Sequence, residues 1–256
     1  MCQYVNIVAG GRGSGGAGQA AALSPRGRET RSTQGRLPAV RTNGPSFYTA
    51  SMRRERSIRR GGEAKQADGP VVGLRIIGGT LRHRKLQYSG DLRTRPMKDR
   101  VREAVFNLLG PGIKGTHAID LFAGTGALGL EAISRGAARA TMIERHLPTA
   151  KLIEQNAAAL GVAEQVEVVF GDAFGWSEEF CSRVPTVVTV FCSPPFDFYV
   201  ERQEQMRALI GRWTEAALAG SQVVVEADER FDFSSLPQAE RWDVREYLPA
   251  VVGIFS

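Results

Sequence analysis

Two short stretches carry residues whose types and spacing could do chemistry. The first is "DLFAGTGALG", Asp120 to Gly129, where Gly124, Gly126 and Gly129 form G-x-G-x-x-G between an expected strand and an expected helix. Glycines there let the backbone turn tightly and approach a ligand closely. Asp120 falls at the end of the strand, and Glu144 closes the next one in "RATMIE". An acidic residue at that second position can accept hydrogen bonds from ribose hydroxyls. Asp172 in "FGDAF" ends a third strand and could accept from an adenine amino group, although capping a helix is an equally natural use of it. The second stretch is "VVTVFCSPPF", where a strand stops at Ser193-Pro194-Pro195-Phe196. Two prolines cannot continue a sheet ladder, so the strand ends in a stiff corner.

The glycine motif alone is weak evidence and leaves three readings. A dinucleotide enzyme would hold a pyrophosphate at the helix N-terminus. An S-adenosylmethionine enzyme has a cationic amino-acid end to hold, which acidic strand ends suit better. A glycine-rich turn with no ligand is the third. The Ser-Pro-Pro-Phe corner favours the second, because it resembles the (Asp/Asn/Ser)-Pro-Pro-(Tyr/Phe) motif of methyltransferases that act on exocyclic base amines, and the chemistry explains the residue types. Such a nitrogen is a poor nucleophile, its lone pair being delocalised into the ring. Fixed oxygens that accept its N–H groups orient it for attack. The aromatic can stack on the base.

The elements that must position these residues are readable from periodicity. "VGLRIIGGTLRHRKLQY" reads as two short strands around Gly78-Gly79, a hairpin signal. "TRPMKDRVREAVFNLLGPG" reads as a helix, with Thr94 near the cap, Pro96 in the first turn and Gly110-Pro111-Gly112 as its stop. Val101, Val105, Leu108 and Leu109 are expected on its apolar face, and Arg95, Lys98 and Arg102 on another. From Thr116 onward short apolar runs alternate with helical segments, including one long helix over "YVERQEQMRALIGRWTEAALAG". Alternation of this kind implies a mostly parallel sheet covered on both faces. "RWDVREYL" and "AVVGIF" read as a closing antiparallel pair.

The bulk numbers bound the rest. The chain has 256 residues and a net charge of +6, but residues 1–70 hold 12 Lys/Arg against 4 Asp/Glu, whereas residues 71–256 hold 21 against 23. The basic character therefore belongs to a Gly/Ser/Arg-rich leader without a lasting period, which is expected to be disordered. That leader reads as a dispensable extension, with Met52 as a plausible start; an organellar transit peptide and a nonspecific grip on RNA phosphates are alternatives. Residues 71–256 are expected to form the functional domain, with 71–112 as hairpin plus helix and 113–256 as core. No apolar run approaches the ~18–20 residues of a membrane span. Three scattered cysteines and three scattered histidines suggest neither a disulfide framework nor a metal site.

Four segments, "LRIIGGTLRHRKL", "TRPMKDRVREAVFNLL", "AIDLFAGTGALGLEAISRGA" and "CSPPF", resemble the bacterial small-subunit rRNA guanine-N2 methyltransferases of the RsmD type. The resemblance covers about residues 74–200, and the first two segments discriminate, since many methyltransferases share the others. It implies a class I methyltransferase fold: a Rossmann-like α/β three-layer sandwich on a mostly parallel seven-stranded sheet with an antiparallel C-terminal strand, preceded by a β-hairpin and helix. It implies S-adenosyl-L-methionine as cofactor, and 16S rRNA in the small ribosomal subunit or its assembly intermediate as partner. It implies a cytoplasmic enzyme, here expected to be a monomer without metal or membrane. Carried onto this sequence, Asp120, Phe122, Gly124, Thr125, Gly126 and Gly129 would hold the methionine end, Glu144 the ribose and Asp172 the adenine. Ser193, Pro194, Pro195 and Phe196 would form the target-base site. Arg82, Arg84, Lys85 and Arg95 would meet RNA. One departure stands out: the family usually has Asp, sometimes Asn, where this chain has Ser193. A serine hydroxyl accepts one hydrogen bond where a second acceptor, such as the Pro194 carbonyl, must supply the other. Ser-Pro-Pro-aromatic is also the pattern of N4-cytosine methyltransferases, the runner-up reading. A non-catalytic RNA-binding protein on the same scaffold is a third.

Overall fold

The computed structural model describes residues 73–91, 94, 96–183 and 186–256. Residues 1–70, read as a leader, and Arg95, read as an RNA contact, lie outside the described residues.

Seven strands form one sheet: β1 (His117–Asp120), β2 (Arg139–Glu144), β3 (Val166–Phe170), β4 (Val188–Cys192), β5 (Gln222–Asp228), β6 (Trp242–Tyr247) and β7 (Ala250–Phe255). Their order is β3-β2-β1-β4-β5-β7-β6. The first five are parallel, and β7 runs antiparallel to both β5 and β6. The strand order reverses direction between β1 and β4, so ligands are expected above the carboxyl ends of these two strands.

Alternate strand residues feed two cores. Ala118, Met142, Phe191 and Val224 face one side, packed beneath helices α1 (Asp99–Leu109), α2 (Ala127–Ser134) and α3 (Leu147–Leu160). Ile119, Ile143, Val190, Val223 and Val225 face the other, beneath α4 (Ala173–Phe180) and α6 (Gln203–Ala216). The three-layer expectation is met because β1, β4 and β5 are apolar on both faces, as a sheet covered twice must be.

Three local expectations change. Helix α1 begins at Asp99 with Lys98 at its cap, so Thr94 and Pro96 precede it in non-helical chain. The long helix after β4 is two helices, α5 (Phe198–Glu201) and α6, broken at Arg202, which lies at φ −131°. Arg102 is fully buried rather than outward, while Leu108 is exposed. The reason lies in α2. Glu131, also fully buried, accepts the Ile77 and Gly78 N–H groups at 2.7 Å each and Arg135 Nε at 2.9 Å. Arg102 Nε stands 3.9 Å from it and Arg102 donates to the Arg75 carbonyl at 2.7 Å. A buried charge needs such partners. Together they clamp the N-terminal hairpin and α1 onto α2. The hairpin itself pairs through one antiparallel bridge, Arg75 to Lys85, and its turn runs past Gly79 to His83, both at positive φ.

Candidate active site

Four strand ends meet at the carboxyl edge of the sheet. Asp120 lies in register with Met142 of β2 and Phe191 of β4, and Cys192 with Val225 of β5. Ser193 therefore emerges beside Glu226, and Glu144 beside the turn after β1. A cavity of about 760 Å³ opens over this edge. One wall is the glycine loop with Phe122, Gly124 and Glu144, together with Gly171 and Asp172. The facing wall is Ser193, Pro194, Pro195 and Phe196. The chain before α1, with Pro96, Met97 and Lys98, closes one side, and Tyr247, Pro249 and Ala250 of the β6–β7 turn close another.

Each member of the loop has a structural cause. Gly124 sits at φ +51°, and a Cβ there would stand 2.9 Å from Thr94 Cγ2. A Cβ on Gly129 would meet the buried Met142 side chain at 2.7 Å, so the glycine favours the close packing of helix α2 on β2. Gly126, Thr125 and Gly129 are buried and do not reach the cavity wall. Asp120 also lies beneath the wall, 1% exposed; its Oδ2 accepts the Gly129 N–H at 3.3 Å, and its Oδ1 is buried. Burial pushes its carboxyl up to about 7, with the neighbouring Glu144 charge adding to the effect and the Gly129 N–H opposing it.

Glu144 accepts the Gly124 N–H at 2.9 Å through Oε2 and the His146 N–H at 2.7 Å through Oε1. Each oxygen keeps a lone pair for a further donor. Asp172 is the N-cap of α4, its Oδ2 accepting from Phe174 and Gly175 N–H at 3.1 Å. The capping use is thus real, and it also holds the carboxylate at the cavity rim.

The Pro-Pro corner is locked by its turn into helix α5. The Pro195 carbonyl accepts the Phe198 N–H at 2.9 Å and the Phe196 carbonyl accepts the Tyr199 N–H at 3.1 Å, so corner and helix are continuous. Phe196 is half-buried and packs against both cores. Ser193 Oγ donates a hydrogen bond to Glu226 Oε2.

Arg82, Arg84 and Lys85 are exposed on the hairpin, away from the cavity wall. Arg84 donates to the Ala159 carbonyl at 2.8 Å, fastening the hairpin to α3. Sequence reasoning missed Glu226, Phe198 and Arg145, which also line the cavity. Phe198 stands 6.2 Å from Phe122, edge to face, with the Arg202 guanidinium 4.5 Å over it. An acidic residue in β5 near its end, as Asp120 and Glu144 close β1 and β2, was the available signal for Glu226.

The donor set decides what the loop can hold. The Gly124 amide, the loop N–H at the cavity wall, is already engaged by Glu144, and Glu144 and Asp172 present carboxylates there. That suits a ligand with hydroxyl and amine donors better than a pyrophosphate, which needs free amides. Fold and site together define a class I methyltransferase whose cofactor is S-adenosylmethionine.

A family model described as conserved hypothetical protein 95 matches residues 74–247. The chain belongs to that family, of the RsmD type. The Escherichia coli K12 protein named ribosomal RNA small subunit methyltransferase D is 43% identical over 123 residues, 48% of this chain and 60% of its own length. A Bacillus subtilis protein, YlbH, named as a candidate rRNA methyltransferase, is 30% identical over 137 residues, 54% of this chain and 72% of its own. Among solved structures, a candidate methyltransferase from Escherichia coli, yhhF, superposes with a TM-score of 0.58 at 33% identity, covering 72% of this chain and 97% of that one. Among the described residues no helix is long and apolar enough to cross a membrane.

Proposed function

We propose that this protein methylates the exocyclic N2 of a guanine in 16S rRNA, acting in the cytoplasm as a monomer on the small ribosomal subunit or its assembly intermediate. The observation that carries the reading is one cavity with an acidic, cation-suited loop on one wall and the Ser193–Phe196 corner on the other. The names of the relatives add the substrate class. Residues 71–256 form the working domain, and residues 1–70 are an extension to it.

S-adenosylmethionine supplies a methyl group on a sulfonium. Phe122 and Gly124 hold its amino-acid end, with Asp120, Thr125, Gly126 and Gly129 shaping the loop from beneath. Glu144 accepts from the ribose hydroxyls and Asp172 from the adenine amine. Phe196 stacks on the target base, and Ser193 with the Pro194 carbonyl accepts the hydrogens of its amine. Both prolines keep those oxygens fixed, which is where an orientation effect of this kind originates. Arg82, Lys85 and Arg95 meet RNA phosphates, with Arg84 contributing only the part of its guanidinium left free by Ala159.

The test is nucleoside mass spectrometry of 16S rRNA from cells with and without the gene. Loss of N2-methylguanosine is expected. Loss of N4-methylcytosine with N2-methylguanosine unchanged would refute the guanine assignment.

A further inference from the structure

Glu226 has an unusual setting. It lies near the end of β5, is 7% exposed, and lines the cavity directly beside Ser193. Among the described residues no cation pairs with it; the nearby Arg230 is engaged by Asp228 at 2.7 Å and Asp197 at 3.2 Å. A buried carboxylate without a cation is costly. Its position is nevertheless fixed on both sides. The Tyr199 hydroxyl donates to the Glu226 backbone carbonyl at 2.9 Å, and Oε2 takes the Ser193 hydroxyl proton.

That second bond removes the ambiguity of a serine at this position. A free hydroxyl can rotate to donate or accept. With its proton held by Glu226, Ser193 Oγ presents only lone pairs to the cavity. We propose that Ser193 and Glu226 act as one unit that replaces the family's usual carboxylate: Ser193 accepts an N–H of the target amine, and Glu226, a positioning residue behind it, receives the proton that the amine must lose. The proposal rests on base methylation as the function. In the proton step the amine N–H bond breaks and its proton bonds to Ser193 Oγ. The hydroxyl's own proton passes at the same time to Glu226 Oε2, so the serine ends neutral and the carboxyl protonated.

Burial raises the Glu226 carboxyl above its usual range, with the Ser193 hydrogen bond opposing, so it is a better proton acceptor than an exposed glutamate. The step needs Glu226 ionised. The rate should therefore fall as pH drops through the Glu226 pKa. Other titratable or charged groups surround it. Tyr199 on α5 is held well above its ordinary value and Cys192 on β4 is pushed up to about 12, both by burial. Asp228 and Arg230 pair at the end of β5, Asp197 pairs with Arg230, and Lys98, Arg145 and Tyr247 stand elsewhere on the wall. Glu144 and Asp120 belong to the facing side, and Asp120 titrates at about 7. All of these remain when Glu226 alone is changed, so the difference between two pH profiles isolates it.

The experiment uses the full chain, S-adenosylhomocysteine titration as a fold and cofactor-site readout, and single-turnover methyl transfer to undermethylated small subunits from about pH 5 to 9. Glu226→Gln should bind S-adenosylhomocysteine like the wild type, transfer about 100-fold more slowly, and lose one acid limb of the profile. Ser193→Ala, which leaves β5 untouched, should show the same loss, and the double variant should be no worse than either single change. If Glu226→Gln is too unstable to bind S-adenosylhomocysteine, Ser193→Ala decides. Wild-type rate in Ser193→Ala, or wild-type rate and profile in Glu226→Gln, overturns the unit while leaving methylation intact. A wild-type protein that binds S-adenosylhomocysteine but methylates no base overturns the function, and the unit with it.

Discussion

Replacing Glu131 by glutamine should loosen the N-terminal hairpin and α1 together. The side chain is fully buried and accepts two backbone N–H groups at 2.7 Å and Arg135 Nε at 2.9 Å. Glutamine keeps the volume but turns one acceptor oxygen into a donor, which then faces a backbone donor. It also withdraws the negative charge 3.9 Å from the fully buried Arg102. Arg102 keeps its closer partner Asp99 at 3.0 Å, so the loss falls on the Ile77, Gly78 and Arg135 bonds; charge-assisted hydrogen bonds contribute about 1.5–3 kcal/mol each, and about 3–5 kcal/mol is the expected total. For a domain of this size that corresponds to a fall in Tm of roughly 10 °C. Calorimetry of the full chain measures the loss, and amide hydrogen exchange locates it, because Ile77 and Gly78 should lose protection before the strands do. Since Pro96, Met97 and Lys98 wall the cavity, cofactor affinity should also weaken. An unchanged Tm with unchanged exchange at Ile77 and Gly78 would refute the clamp.

The same geometry sets three more expectations. Asp120 titrates at about 7 in the fold against an ordinary value of 3.8, so folding favours its protonated form. Its contribution is full below pH 3.8 and fades as pH rises through about 7, so Asp120→Asn should gain stability relative to wild type above that pH, as denaturant titrations on either side of it would detect. Gly124→Ala, at φ +51° with a Cβ contact of 2.9 Å to Thr94, should weaken S-adenosylhomocysteine binding in a titration far more than it lowers Tm. Phe196→Ala should leave that binding intact and slow methyl transfer in single-turnover assays by removing a stack of about 1–3 kcal/mol.

The order of strands and helices was legible because each strand is a short apolar run between turn signals, and β2 in particular is bounded as "RATMIE" suggests. Helix α1 was legible as a helix but not in its start or its facing. Arg102 is buried between Asp99 of its own helix at 3.0 Å and Glu131 of a different helix at 3.9 Å, and no local period carries the second contact. The break at Arg202 was likewise hidden, since the flanking segments share helical residue types. At the site, glycine spacing located the loop but not the division of labour within it. Gly124 reaches the cavity, whereas Gly129 and Asp120 serve helix packing and loop shape beneath. The partner of Ser193 lies one strand away and comes alongside it only once β4 and β5 pair, so the sequence shows the serine without Glu226.

The most direct measurement is methyl transfer from labelled S-adenosylmethionine to undermethylated small ribosomal subunits by the purified chain, with digestion to nucleosides and mass spectrometry. Label in N2-methylguanosine, at a single 16S rRNA position, is the expected result. Label in N4-methylcytosine, or no label from protein that binds S-adenosylhomocysteine, would contradict it.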